Sequence, residues 1–256
     1  MSIEDFEKLV SRPEPEIELD RAALAVSREY NPDVDPGKWL LELDRLAEGV
    51  HDVGDLRLRL FAEERFIGDA RTYHEPVNSF LDRVIARRRG IPITLSILTM
   101  EIGRRAGVRL QGVNMPGHFV VRDPAEGLYL DPFVGGLLLD EIALEERFHE
   151  VNGPSEPFGP DQRQIASSPD ILGRLLANLA GAYTRRWDPP KLELALRLRL
   201  AIPEVPRQEV LQLARALAAQ GRFTEAVREL DEMGRKEPAL AGLLLPAARA
   251  LAARMN

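Results

Sequence analysis

Cysteine is absent from this chain of 256 residues. Without thiols the protein can form no disulfide, no thiolate zinc site and no CxxC redox pair. The same absence excludes every mechanism in which a cysteine is the nucleophile. With 45% hydrophobic and 29% charged residues, the chain can still build a packed core.

Excess positive charge is also missing, since 34 Lys and Arg stand against 41 Asp and Glu, a net charge of −7. Phosphate binding needs a basic surface, so this balance argues against nucleic acid as a partner. No stretch approaches the roughly 18 apolar residues that span a bilayer, and residues 1–19 contain no apolar signal-peptide segment. We therefore expect a cytoplasmic protein that does not bind membranes.

Helical periodicity dominates the first quarter of the chain. Apolar residues recur at helical spacing within residues 3–66, first from Leu19 and then from Trp39. Between these runs, Asp35 followed by Pro36 has the features of a helix cap and a first-turn proline. This segment is therefore predicted to be helical.

A buried helix and several short strands follow. The run that opens at Pro92 is apolar on nearly all sides, which predicts a central helix, and Gly107 has the position of its left-handed cap. The apolar period then shortens to that of strands, in residues 108–113, 118–122, 128–131 and 136–139. The predicted fold class for residues 1–152 is helix-rich α+β, with a short antiparallel sheet packed on the central helix.

The last third of the chain differs in composition. Residues 153–169 contain four prolines and predict an extended linker. Residues 170–256 have helical periodicity throughout and an internal repeat of tetratricopeptide type, with paired antiparallel helices. Such repeats form concave surfaces that bind peptides, and two units usually need further support. We therefore predict an all-α repeat domain docked on the N-terminal part.

A His–Asp pair is the sharpest local signal for chemistry. His118 begins one predicted strand and Asp131 ends the next, so antiparallel pairing can bring their side chains into hydrogen-bonding distance. A histidine oriented by a carboxylate is the base half of a nucleophilic triad. Taken as spacing alone, the pair favours a structural hydrogen bond over catalysis.

Four motifs follow one another along the chain: YHEPVNSF at 73–80, RGIPITLS at 89–96, GVNMPGHF at 112–119 and LDP at 130–132. In this order they resemble the transglutaminase-like core of bacterial SirB-type proteins, in which tetratricopeptide repeats follow the core. The resemblance implies a papain-like fold with a catalytic cysteine at the start of the buried helix and with His118 and Asp131 as its partners. The cysteine position falls at or beside Pro92, where no nucleophile is available.

Only a hydroxyl or a water molecule can replace the missing thiol. Thr94 and Ser96 are nearest in sequence, but hydroxyls inside a helix commonly bond to a carbonyl one turn earlier. The sequence therefore predicts a degenerate domain with a remnant His118/Asp131 dyad, which acts as a binding or regulatory module for a protein or peptide. The alternative is a hydrolase or amide-transfer enzyme with Ser96, Thr94 or water as nucleophile and His118 as base.

Three further residues are candidates for binding, namely Asn78, His74 and Asn114. Asn78 is interpreted first as a helix N-cap, whereas His74 and the adjacent Glu75 could line the same cleft as His118. No ligand spacing predicts a metal, and no motif predicts a cofactor. The arginines between residues 83 and 109 are interpreted as solvated cations that complement helix C-termini.

Overall fold

The computed structural model describes residues 3–14, 16–203 and 205–254, and it has the predicted helix-rich α+β fold. The helices that precede residue 153 are α1 (Ile3–Val10), α2 (Leu19–Tyr30), α3 (Pro36–Ala47), α4 (Val53–Arg57), α5 (Leu81–Arg87), α6 (Pro92–Arg105) and α7 (Glu141–Asn152). A π-helical turn extends α4 over Leu58–Glu63, and short 3-10 turns cover Pro76–Ser79, Pro132–Val134 and Pro160–Arg163. Among the described residues no helix is both long and apolar enough to cross a bilayer.

The predicted boundaries of two helices are confirmed. Asp35 caps α3, because its Oδ1 accepts a hydrogen bond from the Gly37 amide at 2.9 Å, and Pro36 occupies the first turn. Helix α6 begins at Pro92 and is buried along almost its whole length. Gly107 follows it with a φ of 76°, the left-handed conformation expected of a residue that ends a helix.

The sheet has four antiparallel strands in sequential order: β3 (Gln111–Met115), β4 (His118–Asp123), β5 (Leu128–Asp131) and β6 (Leu137–Leu139). A separate parallel pair joins β1 (Ile67–Gly68) to β2 (Arg89–Gly90). Segment 164–166 covers the free edge of β3 through amide–carbonyl bonds between Asn114 and Gln164 and between Ala166 and Gly112. The Pro-rich segment is thus partly fixed to the sheet.

The two faces of the sheet pack against different helices. Phe119, Val121 and Leu130 point into the main core, which also contains α6. The alternate residues Val120 and Tyr129 belong to a smaller core with the apolar side of α7. Because successive side chains of β4 and β5 point to opposite faces of the sheet, one face packs against α6 and the other against α7.

Five helices form the C-terminal region: α8 (Ser168–Arg185), α9 (Pro189–Ala201), α10 (Val210–Ala219), α11 (Phe223–Lys236) and α12 (Ala241–Ala252). Consecutive helices contact one another, and α8 also contacts α2 and α6. Apolar side chains from α8 to α12 join those of the N-terminal helices in one continuous core. The C-terminal helices are thus packed directly on the part of the chain that holds the sheet.

An ion-pair network links α3 to the end of α5. Arg88 ends α5 in the left-handed conformation, with a φ of 56°. Its Nη2 donates to Glu42 at 2.9 Å and to Glu64 at 2.7 Å, and Arg45 also donates to both carboxylates. The hydrogen bond from Arg45, followed by that from Arg88, lowers the pKa of Glu42 from 4.5 to about 2.

This network predicts an acid-sensitive contribution to stability. Because the folded-state pKa of Glu42 lies below its unfolded value, the contribution is complete above pH 4.5 and is lost as the pH falls towards 2. We expect Glu42→Gln to lower the free energy of unfolding by about 2 kcal/mol at pH 7 and by much less near pH 2.5. Urea denaturation at both pH values measures this, with the exposed Glu126→Gln as control. An equal loss at the two pH values would contradict the linkage.

Candidate functional site

Two structural features bring His118 and Asp131 together. Gly117 adopts a φ of 71° in the tight turn between β3 and β4, so that Met115 pairs with His118 at the first position of β4. Asp131 is the last residue of β5, and its Oδ1 accepts a hydrogen bond from the Phe133 amide at 3.0 Å. This bond caps the 3-10 turn that follows the strand. Both functional candidates thus lie at strand ends that local turn chemistry fixes.

The predicted contact within this pair is present. His118 Nε2 lies 2.8 Å from Asp131 Oδ2, and the two side chains are 7% and 0% exposed. Nε of Arg147, on α7, approaches the same Oδ2 to 3.4 Å without forming a hydrogen bond. The ring of Phe133 packs edge-on against the imidazole, with centroids 6.1 Å apart. Asp131 therefore contacts one backbone amide and two side chains. We call the end of β5, the 3-10 turn at residues 132–134 and His118 the corner of the sheet.

The other imidazole nitrogen of His118, Nδ1, has no hydrogen-bond partner among the described residues. Nδ1 is not completely buried and keeps a small contact with solvent. A histidine whose Nε2 is held by a carboxylate can in principle accept a proton at Nδ1. The question is which nucleophile would deliver that proton.

The start of α6 offers no such group. Pro92 occupies the first turn, and the hydroxyl of Thr94 accepts from the Ile91 amide at 3.2 Å and donates to the Asn78 carbonyl at 2.8 Å. Thr94 therefore caps the helix and ties it to residues 76–79. Ser96 Oγ is buried and has no hydrogen-bond partner in the part of the chain that the structure describes, so it makes no bond to His118. Neither hydroxyl is paired with the candidate base.

The orientation of the dyad also differs from the catalytic expectation. Along β4 and β5, His118 and Asp131 fall in the same alternation as Val120 and Tyr129, whose side chains pack on α7. The Arg147 contact to Asp131 comes from α7 as well. The dyad therefore belongs to the face of the sheet opposite to the one that packs on α6.

Asn78 does not act as a helix cap, so that part of the sequence interpretation is wrong. Helix α5 begins at Leu81 without a side-chain cap, because Pro76–Ser79 forms a 3-10 turn in front of it. The Asn78 amide is fully buried, donating to the Thr72 carbonyl at 2.7 Å and accepting from Arg87 at 2.8 Å. Its observed contacts therefore fix the loop before α5.

Asp69 is a buried residue that the sequence reasoning missed. It accepts hydrogen bonds from the Thr72 hydroxyl at 2.7 Å and from Arg87 at 2.9 Å. Burial alone would raise the pKa of Asp69, but these hydrogen bonds and the Arg87 charge keep it below its ordinary value. The sequence signal was the aspartate three residues before a threonine, which is typical of a side-chain-stabilised turn.

His74 and Glu75 line a small cavity of about 110 Å³ against α8, together with Tyr73 and Ile91. His118 is not among its lining residues. The rings of Tyr73 and Phe133 stack edge-on at 5.9 Å, and Phe133 in turn contacts His118. Two aromatic rings thus stand between His74 and the dyad, and Glu75 is bound to Arg186.

Asn114 lies in a larger cavity of about 580 Å³ between the β3–β4 turn, segment 161–169 and α8 and α9. Its Oδ1 accepts a hydrogen bond from Arg174, whose Nη1 also donates to the Met115 carbonyl at 2.8 Å. Burial lowers the pKa of Arg174, and the nearby Tyr73 acts in the opposite direction. Of the predicted site residues, two pairs are hydrogen-bonded: His118 with Asp131 through their side chains, and the Thr94 hydroxyl with the Asn78 carbonyl.

Electrostatic partners account for most of the arginine-rich stretch. Arg87 pairs with Asp69, Arg88 with Glu42 and Glu64, and Arg105 with Asp20, Asp44 and Glu101. These cations mostly neutralise local carboxylates, which favours the structural interpretation over a nucleic-acid surface. No group of three His, Asp or Glu side chains within residues 3–14, 16–203 and 205–254 is arranged to hold a metal ion.

Comparison with known proteins places this geometry in context. Residues 14–177 match the model of the transglutaminase-like superfamily. A UPF0162 protein of Xylella fastidiosa is 36% identical over 188 residues, which cover 66% of this chain and 67% of the relative. A UPF0162 protein of Vibrio cholerae is 33% identical over 205 residues, 74% of each chain. No solved structure matches.

A shorter match connects the chain to a eukaryotic protein. The human F-box only protein 21 is 41% identical over 76 residues, which are 29% of this chain and 12% of that protein. The similarity is therefore confined to a small part of the larger relative.

Proposed function

Because the chain belongs to the transglutaminase-like superfamily and yet contains no cysteine, we propose that it is a non-catalytic, degenerate member that binds a protein or peptide. The observation that carries the proposal is the state of the dyad. Asp131 holds His118, the Phe133 amide and the Arg147 side chain, and no hydroxyl of the described residues is bonded to the imidazole. A pair used in this way stabilises a corner of the sheet.

The C-terminal helices support the binding part of the proposal. We interpret α8–α12 as a short tetratricopeptide-type array in the SirB-type arrangement. Stacked helix pairs of this kind form concave surfaces for partners. Ala177 on α8 is exposed and lines three adjoining cavities, so an open surface runs along this helix.

The experiment that tests the proposal exploits the absence of cysteine. Ala177→Cys introduces the only thiol of the chain, to which a photoreactive maleimide can be attached. We expect a discrete cross-linked product in extracts of the source bacterium, and none from Glu126→Cys in the exposed turn between β4 and β5. Equal cross-linking from both positions, or none from either, would contradict a partner surface along α8.

The alternative function is a hydrolase or amide-transfer enzyme, favoured by one observation, the buried and unpartnered hydroxyl of Ser96. A fluorophosphonate probe tests it, alongside turnover assays on ester and amide substrates. We expect neither labelling nor turnover in the parent protein, in Ser96→Ala or in His118→Ala. Labelling of Ser96 that disappears in His118→Ala would instead establish the enzyme.

A further inference from the structure

Arg174, on the second turn of α8, carries a charge that no described carboxylate neutralises. Nη1 donates to the Asn114 side chain and to the Met115 carbonyl at 2.8 Å, and the guanidinium lies over the Phe119 ring, 5.7 Å from its centroid. These partners are neutral. Since an unpaired charge in a partly buried position is costly, the arrangement leaves room for a negatively charged ligand.

The free edge of this guanidinium has the geometry for such a ligand. Nε and Nη2 have no hydrogen-bond partner among the described residues, and they are not sealed from solvent. These two donors lie side by side in a planar fork, which matches the two oxygens of a carboxylate. Asn114, held by the same guanidinium, presents its side-chain amide in the same cavity.

Arg199 provides an internal comparison, because it lines the same cavity. Its Nε and Nη2 are bound by the two oxygens of Glu209, and its Nη1 donates to the Gly173 carbonyl. The fork of Arg199 is therefore already occupied by a carboxylate of the chain. Among the described residues that line this cavity, the fork of Arg174 is the one that remains open.

The rest of the cavity restricts the ligand further. Its volume of about 580 Å³ is in the range of small-ligand and short-peptide sites. Asp161 and Asp170 also line it, so a polyanion such as a nucleotide would be repelled. A ligand with one carboxylate and a cationic group beside it fits this combination of charges.

We propose that this cavity binds the C-terminal carboxylate of a peptide that ends in a basic residue, with Arg174 as the anchor. The carboxylate pairs with the free fork of Arg174, and the basic side chain approaches Asp161 and Asp170. This inference rests on the proposed binding function and specifies its ligand.

Calorimetric titration of the full chain with acetyl-Ala-Ala-Lys tests the proposal. We expect the free acid to bind about tenfold or more tightly than the same peptide with a C-terminal amide, because a charge-assisted bidentate contact is lost. We also expect acetyl-Ala-Ala-Glu to bind more weakly than the lysine peptide. No heat from the lysine free acid at millimolar concentration, or equal affinity for acid and amide, would overturn the inference.

Matched variants separate this site from the general binding function. Arg174→Gln should abolish the preference for the free acid, whereas Arg174→Lys should keep part of it and Arg215→Gln, at an exposed position on α10, should leave it intact. Thermal unfolding of each variant checks that it is folded. If Arg174→Gln is folded and still prefers the acid, the anchor is wrong. Ala177 lines this cavity and two neighbouring ones, and cross-linking at Ala177→Cys detects a partner of any chemistry. A cross-link without any preference for the free acid would therefore overturn the ligand assignment and leave the proposed function standing.

Discussion

Replacing Asp131 by alanine is expected to lower the free energy of unfolding by about 3–5 kcal/mol, the cost of removing one partner from a buried polar cluster. The carboxylate is completely buried, and its loss leaves the Phe133 amide without an acceptor and removes the ion-pair contact of Arg147 Nε at 3.4 Å. Urea denaturation of the parent and the variant measures the difference. Asp140→Ala is the matched control, since Asp140 is an exposed cap of α7 and should cost about 1 kcal/mol.

The sign of the change in the free energy of unfolding distinguishes a structural dyad from a catalytic one. Residues retained for catalysis are often held at a cost to stability, so that their removal leaves stability unchanged or raises it. His118→Ala should be destabilising, but less so than Asp131→Ala, because the carboxylate keeps the Phe133 amide and Arg147. Unchanged or increased stability of both variants would indicate that the pair is preserved for chemistry.

Features that depend on neighbouring residues could be predicted from the sequence. The cap at Asp35, the proline at the start of α6, the left-handed Gly107 and the hydrogen bond between His118 and Asp131 all follow from short-range rules. The strands were also placed within a few residues, because turn signals separate them. The resemblance to the transglutaminase-like core added the order of these elements.

Features that depend on distant packing could not be predicted. Asparagine commonly caps helices, but the role of Asn78 is determined by its buried hydrogen bonds to Thr72 and Arg87. The face on which His118 lies depends on the register of β4, and a shift of one residue would reverse it. Arg174 lies 60 positions from Asn114, its partner. No local pattern could indicate that this arginine has no carboxylate partner among the described residues.

The second large effect concerns Gly68, because a side chain there would collide with the corner that supports His118. A Cβ on Gly68 would lie 2.5 Å from the carbonyl oxygen of Phe133 and would also overlap its ring. Rotation of the ring cannot relieve a collision with backbone, so the 3-10 turn at residues 132–134 must move. That movement disturbs both the amide bond to Asp131 and the ring that packs on the imidazole.

We therefore expect Gly68→Ala to lower the free energy of unfolding by about 3 kcal/mol, at the upper end of overpacking effects, and to shift the imidazole resonances of His118 in NMR spectra. Gly234→Ala is a control that should change stability in the opposite direction. Gly234 lies inside α11, and a Cβ there would meet no atom within 4 Å. It should stabilise the protein by about 0.5–1 kcal/mol through helix propensity. If Gly68→Ala leaves the His118 resonances in place, Phe133 does not couple β1 to the dyad, and the corner is looser than its contacts imply.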